Sequence, residues 1–415
     1  MNPLGQLGSP SRRPRSAFFV VALCAGLVVL AAACGSDAVD SGGADASADS
    51  LAQADGLQAD AVDELAASTV AYADPGKPGP YPVGISTIVI PRGDGTNDVT
   101  AEVWYPAAEA GATFADYTLI DAIFVPSRGY RDVKPAAAAP FLLVVFSHGF
   151  GGVRWQNYSM AERLASFGYI VVAPDHPGTT ILDVMNAGNL AQSLIHRPGT
   201  VIESADAIWH GAVADLHPRG ATYAVIGHSL GALTTEALGG GVISPSQFAA
   251  ECAKANPDAG CGIIGPMDVT PGDLAQVAPP DPRIQAMVIQ NPAGTYAFVE
   301  GSLAHLPNAL IMSGDRDDSF YHSGAEAAFA AAEAGTAFVT YLKGGHNGPT
   351  DICDIPAAKV VAPDCKGAEA GFAIQSEVRE ISIRHVVAWL GVHFGHQAAF
   401  AQDLTGGSGF TWQTK

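Results

Sequence analysis

Near-continuous apolar runs at residues 141–146, 169–173, 221–226, 284–290, 309–313 and 337–342 constrain what this chain can fold into more than any other feature. A strand that is apolar at successive positions presents hydrophobic side chains to both faces of a sheet, so both faces must be covered. The intervening stretches supply the covers, because residues 158–167, 201–213, 232–238, 324–334 and 374–390 carry helical patterns. Alternating units of this kind predict an α/β fold with a mostly parallel, doubly wound sheet. Two earlier runs, 85–90 and 100–105, are expected to pair antiparallel as a lead-in. Residues 179–200 and 239–282 interrupt the rhythm. Inserts that follow sheet strands overlie the ligand crevice, so both are candidate caps.

The run at 221–226 leads into Gly227-His228-Ser229-Leu230-Gly231, and Ala232 opens a helical stretch. A G-x-S-x-G segment between strand and helix is the setting of a nucleophile elbow, in which the serine sits on a tight turn. The flanking glycines are needed because a Cβ two positions either side would collide with that turn. A serine hydroxyl is a poor nucleophile at neutral pH and needs a base, an acid that orients the base, and donors for the oxyanion.

Both partners have candidates in the order Ser, Asp, His. The run at 309–313 ends in Gly314-Asp315-Arg316-Asp317-Asp318, and the run at 337–342 ends in Lys343-Gly344-Gly345-His346. The turn geometry favours Asp317 as the acid, with Asp315 and Asp318 as alternatives, and His346 is the expected base. The expected oxyanion donors are the backbone N–H groups of Leu230, just after the nucleophile, and Phe150, in the glycine-rich loop Ser147-His148-Gly149-Phe150-Gly151-Gly152. His148 and His228, which flank these turns, are expected to support them by packing.

Composition bounds the partners. Lys and Arg total 21 against 41 Asp and Glu, giving a net charge of -20, which argues against nucleic acid or an anionic membrane held by charge. Much of the acidity falls in residues 35–80, rich in Ala, Asp, Ser and Gly, which are expected to form a solvated tether. Before it, Arg12, Arg13 and Arg15 precede an uncharged apolar run at 17–33, the pattern of an export signal. Leu30-Ala31-Ala32-Ala33-Cys34-Gly35 resembles a bacterial lipobox with its leucine one position early. Cys34 is therefore the candidate lipidation site and membrane anchor, an ordinary cleaved signal being the alternative. Cys252, Cys261, Cys353 and Cys365 remain in the globular part, and an even number in an exported chain predicts disulfides, most simply between sequence neighbours. No C-x-x-C pair suggests a metal centre, and Gly239-Gly240-Gly241 follows a helix instead of opening one, so no metal or nucleotide cofactor is expected. Residues 81–400 are the expected catalytic domain and 401–415 a C-terminal tail.

The segment Phe141-Leu-Leu-Val-Val-Phe-Ser-His-Gly-Phe-Gly-Gly152 and the later Ala173-Pro-Asp-His-Pro-Gly178 resemble the secreted platelet-activating-factor acetylhydrolases and predicted bacterial dienelactone hydrolases, members of the α/β-hydrolase superfamily. The animal acetylhydrolases carry their acid after the sixth strand, whereas Met287-Val-Ile-Gln-Asn-Pro292 has no carboxylate there. An acid one strand later, at residues 314–317, is similar to the arrangement in cutinase-like polyester hydrolases. The resemblance implies hydrolysis of a small-molecule or lipid ester through Ser229, with a polyester or thioester as alternative substrates. A binding lipoprotein that has kept the scaffold and lost turnover is the alternative from another class.

Overall fold

A computed structural model describes residues 73–92, 98–118, 124–137, 141–184, 190–255, 257, 261, 277–317, 322–356 and 358–415. The expected signal, Cys34, most of the tether and Asp318 lie outside the described residues, as do 256, 258–260 and 262–276 of the second insert.

The strands are β1 Val83–Ile90, β2 Val99–Pro106, β3 Asp116–Thr118, β4 Phe124–Pro126, β5 Tyr130–Arg131, β6 Phe141–Ser147, β7 Tyr169–Pro174, β8 Pro218–His228, β9 Ile284–Gln290, β10 Ala309–Gly314, β11 Ala337–Tyr341 and β12 Phe410–Thr414. The principal helices are α1 Tyr158–Ser166, α2 Leu190–Trp209, α3 Leu230–Leu238, α4 Pro245–Cys252, α5 His322–Ala331 and α6 Gln375–His393. All strands but β3 and β4 form one sheet in the order β12-β11-β10-β9-β8-β6-β7-β2-β1-β5. Its centre, from β7 through β11, is parallel, and β1 and β2 form the antiparallel lead-in.

Alternate residues of each central strand serve opposite layers. Val144, Ile226, Val288, Met312 and Val339 pack on one face with Leu164 of α1 and Val386 and Trp389 of α6. Val145, Val225, Ile289, Ile311 and Phe338 pack on the other with Val201, Ala205 and Ile208 of α2, Leu233 of α3 and Ala325 of α5. The chain passes from β6 to β7 on one side and returns to β8 on the other. The strand order therefore reverses between β6 and β8, where α/β sheets open a crevice beyond the strand ends.

Three expectations need correction. Residues 190–200 are not an insert but the first half of α2, which runs through Pro198 and buries Ile195 and Arg197. Packing against the sheet carries the helix through a proline that would break an isolated one. Residues 401–415 are not a tail, since β12 pairs antiparallel with β11 and sets Phe410 and Trp412 against the His385 ring of α6. At the other end, residues 75–81 lie on the body: Arg163 Nη1 donates to the Pro75 carbonyl (2.6 Å) and Gly79 N–H to Ser166 Oγ (2.8 Å).

Candidate active site

The site is built where β6, β8, β10 and β11 end. Strand β8 is buried from Tyr223 onward and turns abruptly into α3 at Ser229, whose φ of 57° and ψ of -118° lie outside the regions that L-residues favour. Such strain persists only where surroundings enforce it. Here the turn is clamped by the Ser229 N–H bond to the Gln290 carbonyl (3.0 Å) and by close backbone approaches. A Cβ on Gly227 would come within 2.1 Å of the Gly231 carbonyl oxygen, and one on Gly231 within 1.9 Å of that of Ser147. Only glycine fits at either place.

Ser229, His346 and Asp317 form a hydrogen-bonded row. Ser229 Oγ lies 2.9 Å from His346 Nε2, and His346 Nδ1 lies 2.8 Å from Asp317 Oδ2. The histidine follows β11 and the aspartate follows β10, so separate strand ends bring each side chain in. Asp317 is buried, which on its own would raise its pKa. Attraction to His346 and hydrogen bonds from His346 and Asn291 prevail and lower it. The carboxylate is therefore ionised and positioned to accept from Nδ1–H, leaving Nε2 free to take a proton from the serine hydroxyl. Asp315 is exposed and accepts instead from the Lys343 N–H (2.6 Å), away from the row.

The β6 loop lies against the elbow. A Cβ on Gly149 would stand 3.1 Å from Ser229 Cβ, so that loop passes next to the elbow serine. Gly149 N–H is engaged by Gln156 Oε1 (3.1 Å). Among the described residues no acceptor is recorded for the N–H groups of Phe150 or Leu230, and Leu230 opens α3, where N–H groups lack intrahelical partners. Above them, Phe248 of α4 packs with Leu230 and Phe150 and stacks on Tyr296 (5.9 Å between centroids). The described part of the second insert thus borders the expected oxyanion donors.

Several residues that hold the row carry no motif. Asn291, at the end of β9, donates to Asp317 Oδ2 (3.0 Å) and to the Gly345 carbonyl (3.3 Å). It occupies the place after β9 where the sequence has no carboxylate, and it supports the carboxylate after β10. His228 Nε2–H donates to the His346 carbonyl (2.9 Å), while its Nδ1 accepts from the Gln156 amide (2.9 Å). Burial, followed by the neighbouring His346, pulls the His228 pKa down to about 3, so it stays neutral as this tautomer requires. Gln156 therefore links the β6 loop to the histidine loop. A glutamine seven residues after Gly149 and an asparagine after an apolar strand have no sequence signature.

A family model for the alpha/beta hydrolase family matches residues 144–402, a span that contains the β6 loop, the elbow and both loops of the row. The chain belongs to the alpha/beta hydrolase family. A ferulic acid esterase from Streptomyces cinnamoneus is similar in fold, with a TM-score of 0.52, 20% identity, and coverage of 76% of this chain and 91% of that one. No curated protein is significantly similar in sequence.

Within this hydrolase the histidine loop is held from below by a disulfide. Cys353 pairs with Cys365 and Cys252 with Cys261, with Cα separations of 5.1 and 5.4 Å. Beside Cys365, Asp364 accepts from Asn347 N–H (2.6 Å) and from the Asn347 side-chain amide (3.2 Å), directly after His346. Closing a loop of separation 12 stabilises by about 3 kcal/mol in the chain-entropy account. Replacing both Cys353 and Cys365 with serine should therefore lower the melting temperature by roughly 5 °C. Hydrolytic turnover should fall with it as Asp364 loosens. Calorimetry and initial rates check this, and an unaltered melt and rate would show the bond to be dispensable.

Proposed function

We propose that this hydrolase cleaves carboxylic esters at the envelope or outside the cell, with Ser229 as nucleophile, His346 as base and Asp317 as its orienting acid. The Ser229–His346–Asp317 row carries this reading. The serine Oγ attacks the acyl carbon as its proton passes to His346 Nε2, and Asp317 stabilises the imidazolium so formed. The carbonyl oxygen becomes an anion facing the N–H groups of Phe150 and Leu230. Collapse expels the alcohol, which takes the proton from His346. Water, activated by the same histidine, then releases the acid and restores Ser229.

The basic and apolar N-terminal stretch, the lipobox-like segment at Cys34 and the paired cysteines support export, with Cys34 as the proposed lipid anchor. The substrate class is tested by comparing hydrolysis of p-nitrophenyl esters of graded chain length, methyl ferulate, a short-chain phospholipid, an acyl thioester and a polyester film. The expected result is turnover of simple soluble esters. Exclusive action on thioester or film would replace the proposed substrate class, and no turnover of any would favour a binding role.

A further inference from the structure

Helix α2 drives a guanidinium into the core beneath the β6 loop. Arg197 is 1% exposed, and each of its nitrogens is engaged. Nε donates to Thr234 Oγ1 (3.0 Å), Nη1 to Thr179 Oγ1 (2.6 Å), and Nη2 to Ser147 Oγ (3.2 Å) and to the His148 carbonyl. Every one of these acceptors is neutral.

Three carboxylates of adjoining segments are engaged by other groups. Asp175 binds Arg154, Glu102 lies between Arg131 and Arg154, and Asp183 accepts from Gly178 and Thr180. Burial pulls the Arg197 pKa down to about 9, so the group is still charged at neutral pH, and among the described residues no acid offsets the cost. An unpaired buried cation is among the more destabilising features a core can hold, ordinarily removed by a partner carboxylate or by substitution.

Its bonds reach both arms that face the reacting oxygen. Through Nη2 it grips the His148 carbonyl, one residue before Gly149, which lies against Ser229 Cβ, and two before Phe150. Through Nε it holds Thr234, whose hydroxyl donates to the Leu230 carbonyl (3.1 Å) in the first turn of α3. The two expected donors are thus tied to one fixed positive charge. During acyl transfer a negative charge develops between them and nowhere else in the cycle.

We propose that Arg197 is a positioning residue for the oxyanion site, clamping its two arms and taking the tetrahedral anion as the counter-ion that none of its described partners supplies. The inference rests on the ester-hydrolase reading. It predicts a contribution specific to the charged intermediate, because the ground-state ester carries no charge for the guanidinium to meet.

The test compares wild type, Arg197→Lys and Arg197→Gln in the full chain. It measures kcat and KM for p-nitrophenyl acetate, and inhibition by phenylboronic acid, which forms an anionic tetrahedral adduct on an active serine, against inhibition by an uncharged amide analogue of the substrate. Lysine keeps the charge without the planar fork, whereas glutamine keeps amide donors without the charge. Expected for Arg197→Gln is a loss of about ten- to a hundred-fold in both kcat and boronate affinity, with KM and amide affinity little changed. Arg197→Lys should recover a large part of both.

If glutamine matches or exceeds lysine in kcat and boronate affinity, the charge is irrelevant and the proposal is overturned. It is also overturned if boronate and amide binding weaken alike, the mark of a purely structural role. Should glutamine fail to fold, Arg197→Lys decides: boronate affinity below one-hundredth of wild type with amide affinity intact contradicts a role for the charge. A wild type that neither turns over the ester nor binds the boronate would instead overturn the ester-hydrolase reading, and this one with it.

Discussion

Ser229→Ala should lower kcat for any ester the protein hydrolyses by about 10^4- to 10^6-fold, while the folded chain keeps its melting temperature to within a few degrees. Loss of the hydroxyl removes the covalent route, since it is the oxygen that lies 2.9 Å from His346 Nε2. The residual rate would come from the oxyanion donors and from binding. Stability should change little because the strained φ of 57° is imposed by the packing of Gly227 and Gly231, which the alanine leaves intact. Steady-state rates with a melting curve check both halves. A variant that keeps most of its kcat would remove Ser229 from the chemistry.

Asp317→Asn should cost about 10^3- to 10^4-fold in kcat with the fold intact. The aspartate is buried, yet His346 and Asn291 keep it ionised, so its charge is available to the imidazolium when the serine proton arrives. At so buried a position solvent substitutes poorly for that charge. Asp315→Asn provides the contrast: its exposed carboxylate accepts from the Lys343 N–H, away from the row, and its loss should leave the rate close to wild type. Equal losses in the two variants would point to disturbance of the turn instead of loss of the acid.

The sheet was legible because its evidence is dense and local. Residues 284–290 form β9 with the limits their apolar run suggests, and the other central strands differ by a few terminal residues. Strand β12 escaped notice because it is short, exposed on alternate residues and closes an edge, so its stability comes from β11 and α6 and not from its own composition. Helix α2 starts ahead of the helical pattern at 201–213 and runs through Pro198, because the buried face of its first half appears only once the sheet is in place.

The candidate site divides in the same way. Ser229, His346 and Asp317 could be selected because each sits in a short motif after an apolar run, and the structure places them within hydrogen-bonding reach of one another. Asn291, Gln156 and Arg197 could not. Their importance comes from bonds to groups far away in sequence, Arg197 to the His148 carbonyl, Asn291 to the Gly345 carbonyl and Gln156 to the His228 ring, and such bonds leave no periodicity or spacing to read. The cap differs again, because Phe248 marks where it meets Leu230 and Phe150 while much of the insert lies outside the described residues.

The central claim is that Ser229 is an activated nucleophile. Treating the folded protein with a fluorophosphonate and mapping the adduct by peptide mass spectrometry tests it most directly. The account predicts one stoichiometric adduct on the peptide containing Ser229, absent from Ser229→Ala and much slower to form in Asp317→Asn. No adduct on the native chain, or one that persists in Ser229→Ala, would contradict it.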